Sequence, residues 1–392
     1  MDIRAIVLVG GNGTGEGKPE ERFGSIPLAC LDVLGMSVEE RVVRSLQRFA
    51  VSTCSLIDDA PEDAAPFARC PGVDPHVKRL HATGAEFWEA AASQFERCAE
   101  EGAELVLVLR LGAYVELDYE EMIQHHLDHR SAVTRAVDSQ GVGLDLFVVS
   151  ASARVDAAEL FQSRLSRLRR ESEPFRVAGY VNRLQSAGDL RRLAADGLLA
   201  RNAIDPQGKE KKPGVWLGPG ARIHKNARVV APAYIGAHTK IRASALLTRG
   251  SVVERHCIVD CGTVVENTTL LPFTCVGAGL DAMHCVVGFR RVAHLPRQVE
   301  VEIFDDKLVG MIPINPLSRL AGSTAALFAF IPKEMYRGLS SPFRRRRAAR
   351  TEEPPEATES SMEGPGLKAS ACDPEPSEFP SDLAVVRRYG DH

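Results

Sequence analysis

The stretch that decides the fold runs from Leu217 to Val276 and reads LGPGARIHKNARVVAPAYIGAHTKIRASALLTRGSVVERHCIVDCGTVVENTTLLPFTCV. Every sixth residue in it is aliphatic, namely Leu217, Ile223, Val229, Ile235, Ile241, Leu247, Val253, Val259, Val265 and Leu271. The residue four places after each of these is small, namely Ala221, Ala227, Ala233, Thr239, Ala245, Ser251, Cys257, Thr263, Thr269 and Cys275. In a chain with 44% apolar residues, ten apolar residues in one frame arise by chance in roughly 3 of 10,000 trials.

This six-residue period predicts a left-handed parallel β-helix, in which three hexapeptides form one triangular coil of about 18 residues. The aliphatic side chain points into the prism, and the small one fits beside a tight corner. Each coil needs its neighbours to bury its core, and ten hexapeptides predict a little over three coils. A β-sandwich would instead need period-two alternation with irregularly spaced turns, which the sequence lacks.

The amino half carries alternating strand and helix patterns. A buried strand at Ala5–Val9 ends at Gly10 and Gly11, and Ser37 with Glu40 is typical of a helix start. Further elements are strands predicted at 54–57, 105–109 and 144–149 and helices predicted at 85–101, 119–129 and 157–169. This alternation predicts an open α/β sheet with helices on both faces, which binds ligands at the carboxyl ends of its strands.

The chain is therefore divided into an α/β domain at 1–200, a polar linker at 201–214 and the β-helix at 215–312. A short apolar and basic extension at 313–343 follows, and then a tail at 344–392 whose Glu, Pro and Ser content predicts disorder. The basic run Arg344–Arg347 has two interpretations, a weak contact with an anionic membrane surface or a solvated charged linker.

Composition and charge argue against a nucleic-acid-binding protein and against a disulfide-rich one. A net charge of −4 argues against nucleic acid as a partner, because phosphate binding needs a clustered positive field. Nine cysteines without a CxxC pair predict reduced thiols rather than a disulfide framework. The sequence shows no signal-peptide pattern and no apolar stretch of roughly 20 residues, so we expect a cytoplasmic protein.

The amino-terminal motifs resemble those of the sugar-phosphate nucleotidyltransferases, the nucleotide-sugar pyrophosphorylases. The resemblance rests on Gly10-Gly11-Asn12-Gly13-Thr14 after the first strand, on the spacing to Pro27-Leu28 and Leu34-Gly35, and on a β-helix that follows the nucleotide-binding half. The segments Val276–Leu280 and Glu302–Asp306 are similar to the β-helix end of members that act in polysaccharide synthesis.

The resemblance implies a Rossmann-like nucleotidyltransferase domain that joins a nucleoside triphosphate to a sugar 1-phosphate and releases pyrophosphate. It implies that Gly10, Gly11, Gly13 and Thr14 contact the phosphates, since glycines let backbone N–H groups approach them. It also implies Mg²⁺ as the cofactor of an active enzyme, and a role in polysaccharide or cell-envelope sugar metabolism.

The charged groups of that family are missing at four places. Gly15 stands where the family has an arginine, and Ile26 where it has a lysine. Ala113 stands where the first metal-binding aspartate is expected, and Arg183 where the second is expected. Asp118 or Asp189 would pass for these aspartates only if the alignment slipped, and Lys18 and Arg22 are nearby cations that could compensate in part.

Because the reaction brings two polyanions together, losing the metal carboxylates and cations should remove most of the catalysis. We therefore expect a degenerate transferase that binds a nucleotide or sugar phosphate, or that acts as a scaffold. Its expected partners are other copies of itself or an active enzyme. An active transferase with a rearranged metal site is the alternative within the same family.

Histidines suggest two further interpretations. His224, His238 and His256 lie in the repeat, where related β-helices use a histidine as the general base of acyl transfer. His125 and His129 are four residues apart and share a helix face with metal-binding spacing, but an exposed helical surface explains them and neighbouring His126 better. We therefore predict no resident metal from the sequence.

Overall fold

The computed structural model describes residues 1–11, 21–49, 51–60, 77–151, 161 and 172–312. Met1–Ile314 forms one compact unit. No helix among the described residues is long and apolar enough to cross a membrane. Outside them lie the predicted extension and tail with Arg344–Arg347, and all of the predicted helix at 157–169 except Phe161.

The amino half is an α/β structure. Its elements are β1 (Ile3–Val9), β2 (Arg22–Phe23), β3 (Ile26–Pro27), β4 (Asp32–Val33), β5 (Met36–Ser37), α1 (Val38–Arg48), β6 (Thr53–Asp58), β7 (Val77–His81), α2 (Ala85–Glu100), β8 (Leu105–Arg110), β9 (Ala113–Val115), α3 (Tyr119–Asp128), β10 (Val133–Val137), β11 (Gly143–Ser150), β12 (Glu173–Arg176), β13 (Val181–Arg183) and α4 (Ala187–Leu198). A short 3-10 helix, Leu28–Cys30, joins β3 to β4.

Seven of these strands form one sheet in the order β12-β10-β11-β8-β1-β6-β7. Strands β8, β1, β6 and β7 are mutually parallel, whereas β11 runs antiparallel to β8, so the sheet is mixed. Alternate residues of β1 face opposite cores: Val7 lies in the core that also holds Leu46 of α1, and Leu8 in the core that holds Phe87 of α2. The predicted α/β class with helices on both faces is therefore confirmed.

The predicted start of α1 is also confirmed. The Ser37 hydroxyl accepts the Glu40 N–H at 3.1 Å, which satisfies one of the free N–H groups of the first turn. The helix buries Val42 and Leu46 against the sheet. The opposite side of α1, which carries Arg44 and Arg48, therefore faces away from the core.

The carboxyl half is built almost entirely of short strands. They are β14 (Lys209–Lys212), β15 (Val215–Leu217), β16 (Arg222–Ile223), β17 (Arg228–Val229), β18 (Ala233–Ile235), β19 (Lys240–Ile241), β20 (Leu246–Thr248), β21 (Ser251–Val253), β22 (Ile258–Val259), β23 (Val264–Glu266), β24 (Thr269–Leu270), β25 (Thr274–Val276), β26 (Asp281–Met283), β27 (Cys285–Gly288), β28 (Arg291–His294), β29 (Val299–Glu302) and β30 (Val309–Met311). A 3-10 helix, Leu295–Arg297, lies between β28 and β29.

Strands β15 to β26 form three parallel sheets in a β-helix-like arrangement, with one strand of each coil in each sheet. Four coils are present, slightly more than the three and a third that ten hexapeptides account for, because the strands continue through β26. Ile235, Leu247, Val253 and Val259 lie at 0% exposure in its interior, as the six-residue frame predicts.

The tenth core residue of the β-helix is Leu270, so the prediction of Leu271 is wrong by one residue. Val253 pairs with Leu270, seventeen residues on, whereas Ile235 pairs with Val253, eighteen residues on. The coil from Val253 to Leu270 is therefore one residue shorter than the two before it, and the step from Leu270 to Val287 is also seventeen residues. Leu270 fills the β-helix core, and Leu271 points the other way into the core of the amino half.

The same shift moves the small-residue positions to Thr268 and Thr274, both fully buried. Small polar side chains suit these corners because they donate to the backbone of the next coil. The Ser251 hydroxyl donates to the Val265 carbonyl at 2.8 Å, and the Thr268 hydroxyl donates to the Ala282 carbonyl at 3.0 Å.

Part of the segment predicted as a linker, 201–214, is a strand. The exposed, lysine-rich β14 pairs antiparallel with β15 and covers that edge of the first coil. Charged side chains on such an edge discourage pairing with other chains. The domain boundaries themselves stay a prediction.

A buried polar contact joins the two halves. Glu254 of the β-helix accepts the N–H groups of Leu34 at 2.7 Å and Gly35 at 2.9 Å, in the tight turn between β4 and β5. Asp32 pairs with Arg255 at 2.8 Å. Burial raises the pKa of Asp32 to about 6, and burial together with the Asp32 charge raises the pKa of Glu254 to about 8.

Candidate functional site

The glycine turn after β1 is closed by a carboxylate of the protein itself. The Gly11 N–H donates to Asp59 at 2.8 Å, and the Trp88 indole N–H donates to the Gly11 carbonyl at 3.3 Å. Gly10 has a φ of 101°, and a Cβ there would lie 1.9 Å from the Asp59 carboxylate. An anion that approached the Gly11 N–H would therefore have to displace a carboxylate.

The cations around this turn are also paired. Arg22 lies 2.5 Å from Asp59, so this candidate compensating charge neutralises the carboxylate on the glycine turn. Arg110, at the carboxyl end of β8, lies 2.6 Å from Glu21 and 3.1 Å from Asp145. Two carboxylates thus flank the Arg110 guanidinium, which also donates to the Gly10 carbonyl at 3.3 Å, so that its charge has little attraction left for a phosphate.

The two positions expected to carry metal carboxylates do come together. Ala113 on β9 lies directly opposite Arg183 on β13 in the two-stranded sheet, as a metal-binding pair would require. Neither side chain can bind Mg²⁺: Ala113 is buried in the core, and Arg183 pairs with Asp138 at 2.7 Å. The adjoining cavity is about 60 Å³ and is too small for a nucleotide.

The remaining predicted residues fall into two groups. Gly13 and Thr14, as well as Gly15 and Lys18, lie outside the described residues. Asp118 and Asp189 take part in helix capping. The Asp118 carboxylate accepts the Glu121 N–H at the start of α3, and the Asp189 carboxylate accepts the Ser186 hydroxyl at the start of α4. Neither contributes to the paired Ala113 and Arg183 positions.

A larger cleft lies along α1, and sequence reasoning missed it. Arg41, Arg44 and Arg48 share one face of the helix because they are three and four residues apart. They line a cleft of about 820 Å³ whose other walls include Tyr114, Glu116, Asp118, Asp205 and Gln207. The signal in the sequence is the arginine spacing, but the facing wall comes from segments far along the chain.

The arginines of this cleft differ in how they are held. Arg41 donates to the Val33 carbonyl at 2.7 Å, and burial lowers the pKa of Arg41. Arg44 pairs with Glu40 at 2.5 Å, whereas Arg48 is exposed. Three guanidinium groups on one wall form a surface suited to phosphate or carboxylate groups of a ligand.

The histidines of the β-helix have structural contacts. His238 and His256 stack at 5.0 Å between ring centroids, and His256 stacks on Phe273 at 4.8 Å. All three have positive φ and form a ladder along one corner of successive coils. The exposed His224 accepts the Asn226 N–H through Nδ1. None of these contacts favours acyl transfer.

No protein-family model matches the chain, and no curated protein is significantly similar to it in sequence. The resemblance to the sugar-phosphate nucleotidyltransferases therefore stays a prediction from the motifs.

Proposed function

We propose that this chain is a catalytically inactive relative of the nucleotide-sugar pyrophosphorylases, which binds a nucleotide sugar or sugar phosphate without converting it. It would act in cytoplasmic sugar metabolism that supplies polysaccharide or the cell envelope. We also propose a Rossmann-like nucleotidyltransferase fold for the amino half and left-handed winding for the β-helix. The glycine motif and the six-residue period support these assignments.

The observation that carries the proposal is the charge around the glycine turn. The Gly11 N–H already donates to the Asp59 carboxylate, and two carboxylates flank Arg110. Ala113 and Arg183 stand where metal-binding aspartates are expected. Each feature opposes the binding of a magnesium-bound triphosphate. Together they favour a protein that has lost phosphoryl-group chemistry.

Ligand binding is best supported at the cleft along α1. Its volume of about 820 Å³ falls in the range of small-molecule sites, and its arginine wall suits a diphosphate.

Changing Arg48 to glutamate should weaken nucleotide-sugar binding at least tenfold, because it reverses the charge of an exposed cation on the binding wall. The measurement is a thermal-shift and calorimetric screen of the full chain against uridine, guanosine, adenosine and thymidine diphosphate sugars. A ligand at 100 times its dissociation constant stabilises the wild type by about 2.7 kcal/mol. Arg228→Glu, an exposed change on β17, is the matched control and should bind normally. Equal binding by all three proteins would remove the cleft from consideration.

An exposed edge supports the expected assembly into a homo-oligomer or a complex with an active enzyme. Strand β29 ends the eight-stranded sheet and leaves Val299 and Val301 each 48% exposed. Phe304, just beyond it, is 84% exposed. Glu300 and Glu302 alternate with the two valines and pair with Arg291 of the neighbouring strand β28, so the exposed valines and Phe304 are the surface that another chain can cover.

A further inference from the structure

We propose that His125, His129 and Glu173 bind a divalent transition-metal ion of the zinc class. The ligand atoms of these three side chains all lie within 4.8 Å of one another. Among the described residues, this is the one group of three or more His, Cys, Asp or Glu side chains whose ligand atoms lie this close together. This inference does not depend on the proposed function.

Two elements supply the ligands. His125 and His129 lie one turn apart at the end of α3, with ring centroids 4.0 Å apart. Glu173 opens β12, the strand at the sheet edge that packs against α3. Zinc ligands in proteins lie about 2.0–2.2 Å from the ion, hence roughly 3.3 Å from one another, so the group closes onto an ion by side-chain movement alone.

Hydrogen bonding prepares both imidazoles for a metal. His129 Nδ1 lies 2.8 Å from the His125 carbonyl, and because a carbonyl only accepts, this nitrogen carries the proton and leaves the Nε2 lone pair free. His125 Nε2 is buried and has no hydrogen-bond partner among the described residues. A buried nitrogen without a partner is unfavourable unless something binds it. The Phe175 ring, 5.4 Å away, holds the His125 ring in place.

The surroundings favour a cation. A cleft of about 470 Å³ leads to His125, and four of its lining residues are acidic, namely Asp118, Glu120, Glu121 and Asp128. Their field concentrates cations at the entrance. His129 is also the C-terminal capping residue of α3, where the helix dipole presents its negative end.

The donor set identifies the class of ion. Two imidazoles and one carboxylate suit Zn²⁺, Co²⁺ or Ni²⁺, whereas Mg²⁺ and Ca²⁺ prefer oxygen ligands alone. Three protein ligands leave a fourth position for water. A bound ion would also tie the edge strand β12 to α3.

The test is titration of the metal-free full chain with Zn²⁺, followed by calorimetry and by thermal unfolding. One equivalent should bind and raise the melting temperature by several degrees, and a chelator should reverse the shift. His129→Ala and Glu173→Gln should each weaken binding at least tenfold, whereas His224→Ala, an exposed histidine elsewhere, should bind as the wild type does. The Glu173→Gln change keeps the shape of the side chain, so its metal-free melting temperature should match the wild type.

Substitution with Co²⁺ separates this site from the protein thiols, which include the exposed Cys261. The bound ion should show visible absorption of nitrogen and oxygen coordination without the strong thiolate charge-transfer band. Absence of a stoichiometric site overturns the proposal. So does binding that the His129 and Glu173 variants leave unchanged, and so does a thiolate spectrum.

Discussion

Replacing Glu254 by alanine is expected to lower the free energy of unfolding by about 2–4 kcal/mol. The fully buried carboxylate accepts the N–H groups of Leu34 and Gly35, and alanine would leave both without a partner. Urea denaturation at pH 7 measures the difference.

The matched control is Glu300→Ala on β29, which removes an exposed carboxylate paired with Arg291 at 3.0 Å. Exposed ion pairs contribute about 0–1 kcal/mol, so this variant should unfold close to the wild type. Equal stability of the two alanine variants would mean that the contact between Glu254 and the β4–β5 turn contributes nothing to joining the halves.

The stability of the wild type should fall as the pH rises from 5 to 9, relative to that of Glu254→Gln. The pKa of Glu254 is raised from 4.5 to about 8, and that of Asp32 from 3.8 to about 6, both because burial disfavours the charged form. In this range the folded protein keeps protons that the unfolded chain has lost. The contribution of Glu254 is therefore fully present below its unfolded pKa and is lost as the pH passes about 8, whereas the step of Asp32 near pH 6 occurs in both proteins and largely cancels from the difference.

Glutamine at 254 cannot ionise, so the difference between the two proteins isolates this group from all other titrations. We expect the free energy of unfolding of the wild type, minus that of Glu254→Gln, to fall by an amount on the order of a few kcal/mol across the range. Urea denaturation at closely spaced pH values measures it. A difference that stays constant or grows with pH would show that Glu254 is ionised in the folded protein.

The repeat was predictable because its cause is local. An aliphatic residue every six positions and a small residue at each corner are written directly into the sequence, and the core from Ile235 to Val259 follows that frame. The shortening of the coil that ends at Leu270 was not predictable, because Leu271 satisfies the six-residue frame and the residue before it is also a leucine. Only the pairing of Val253 with Leu270 reveals which one faces inward.

The candidate sites were less predictable because they join distant segments. The absence of a carboxylate at Ala113 is visible in the sequence, but the closure of the Gly11 N–H by Asp59 needs the parallel pairing of β1 with β6. The histidine pair on α3 was visible as a spacing. Its third ligand, Glu173, lies on strand β12, far along the chain, and without it the spacing predicts only an exposed helix surface.

His126 is a correction of the same kind. The sequence predicts an exposed position, but the structure buries this imidazole between the hydroxyls of Thr134 and Ser150, each 2.8 Å from a ring nitrogen. Burial lowers the pKa of His126, so it serves as a neutral core residue. Three neighbouring histidines thus divide between the core and the proposed metal site.

The most direct test of the central claim is pyrophosphate release by the full chain with Mg²⁺, a panel of nucleoside triphosphates and a panel of sugar 1-phosphates. An active nucleotidyltransferase serves as the positive control, and Arg110→Ala identifies activity that belongs to a contaminant, since such activity would survive the change. The closed glycine turn and the missing metal carboxylates predict no release above background with any pair of substrates. Release that requires both substrates and Mg²⁺ and that disappears in Arg110→Ala would contradict the proposal and make this protein a working transferase.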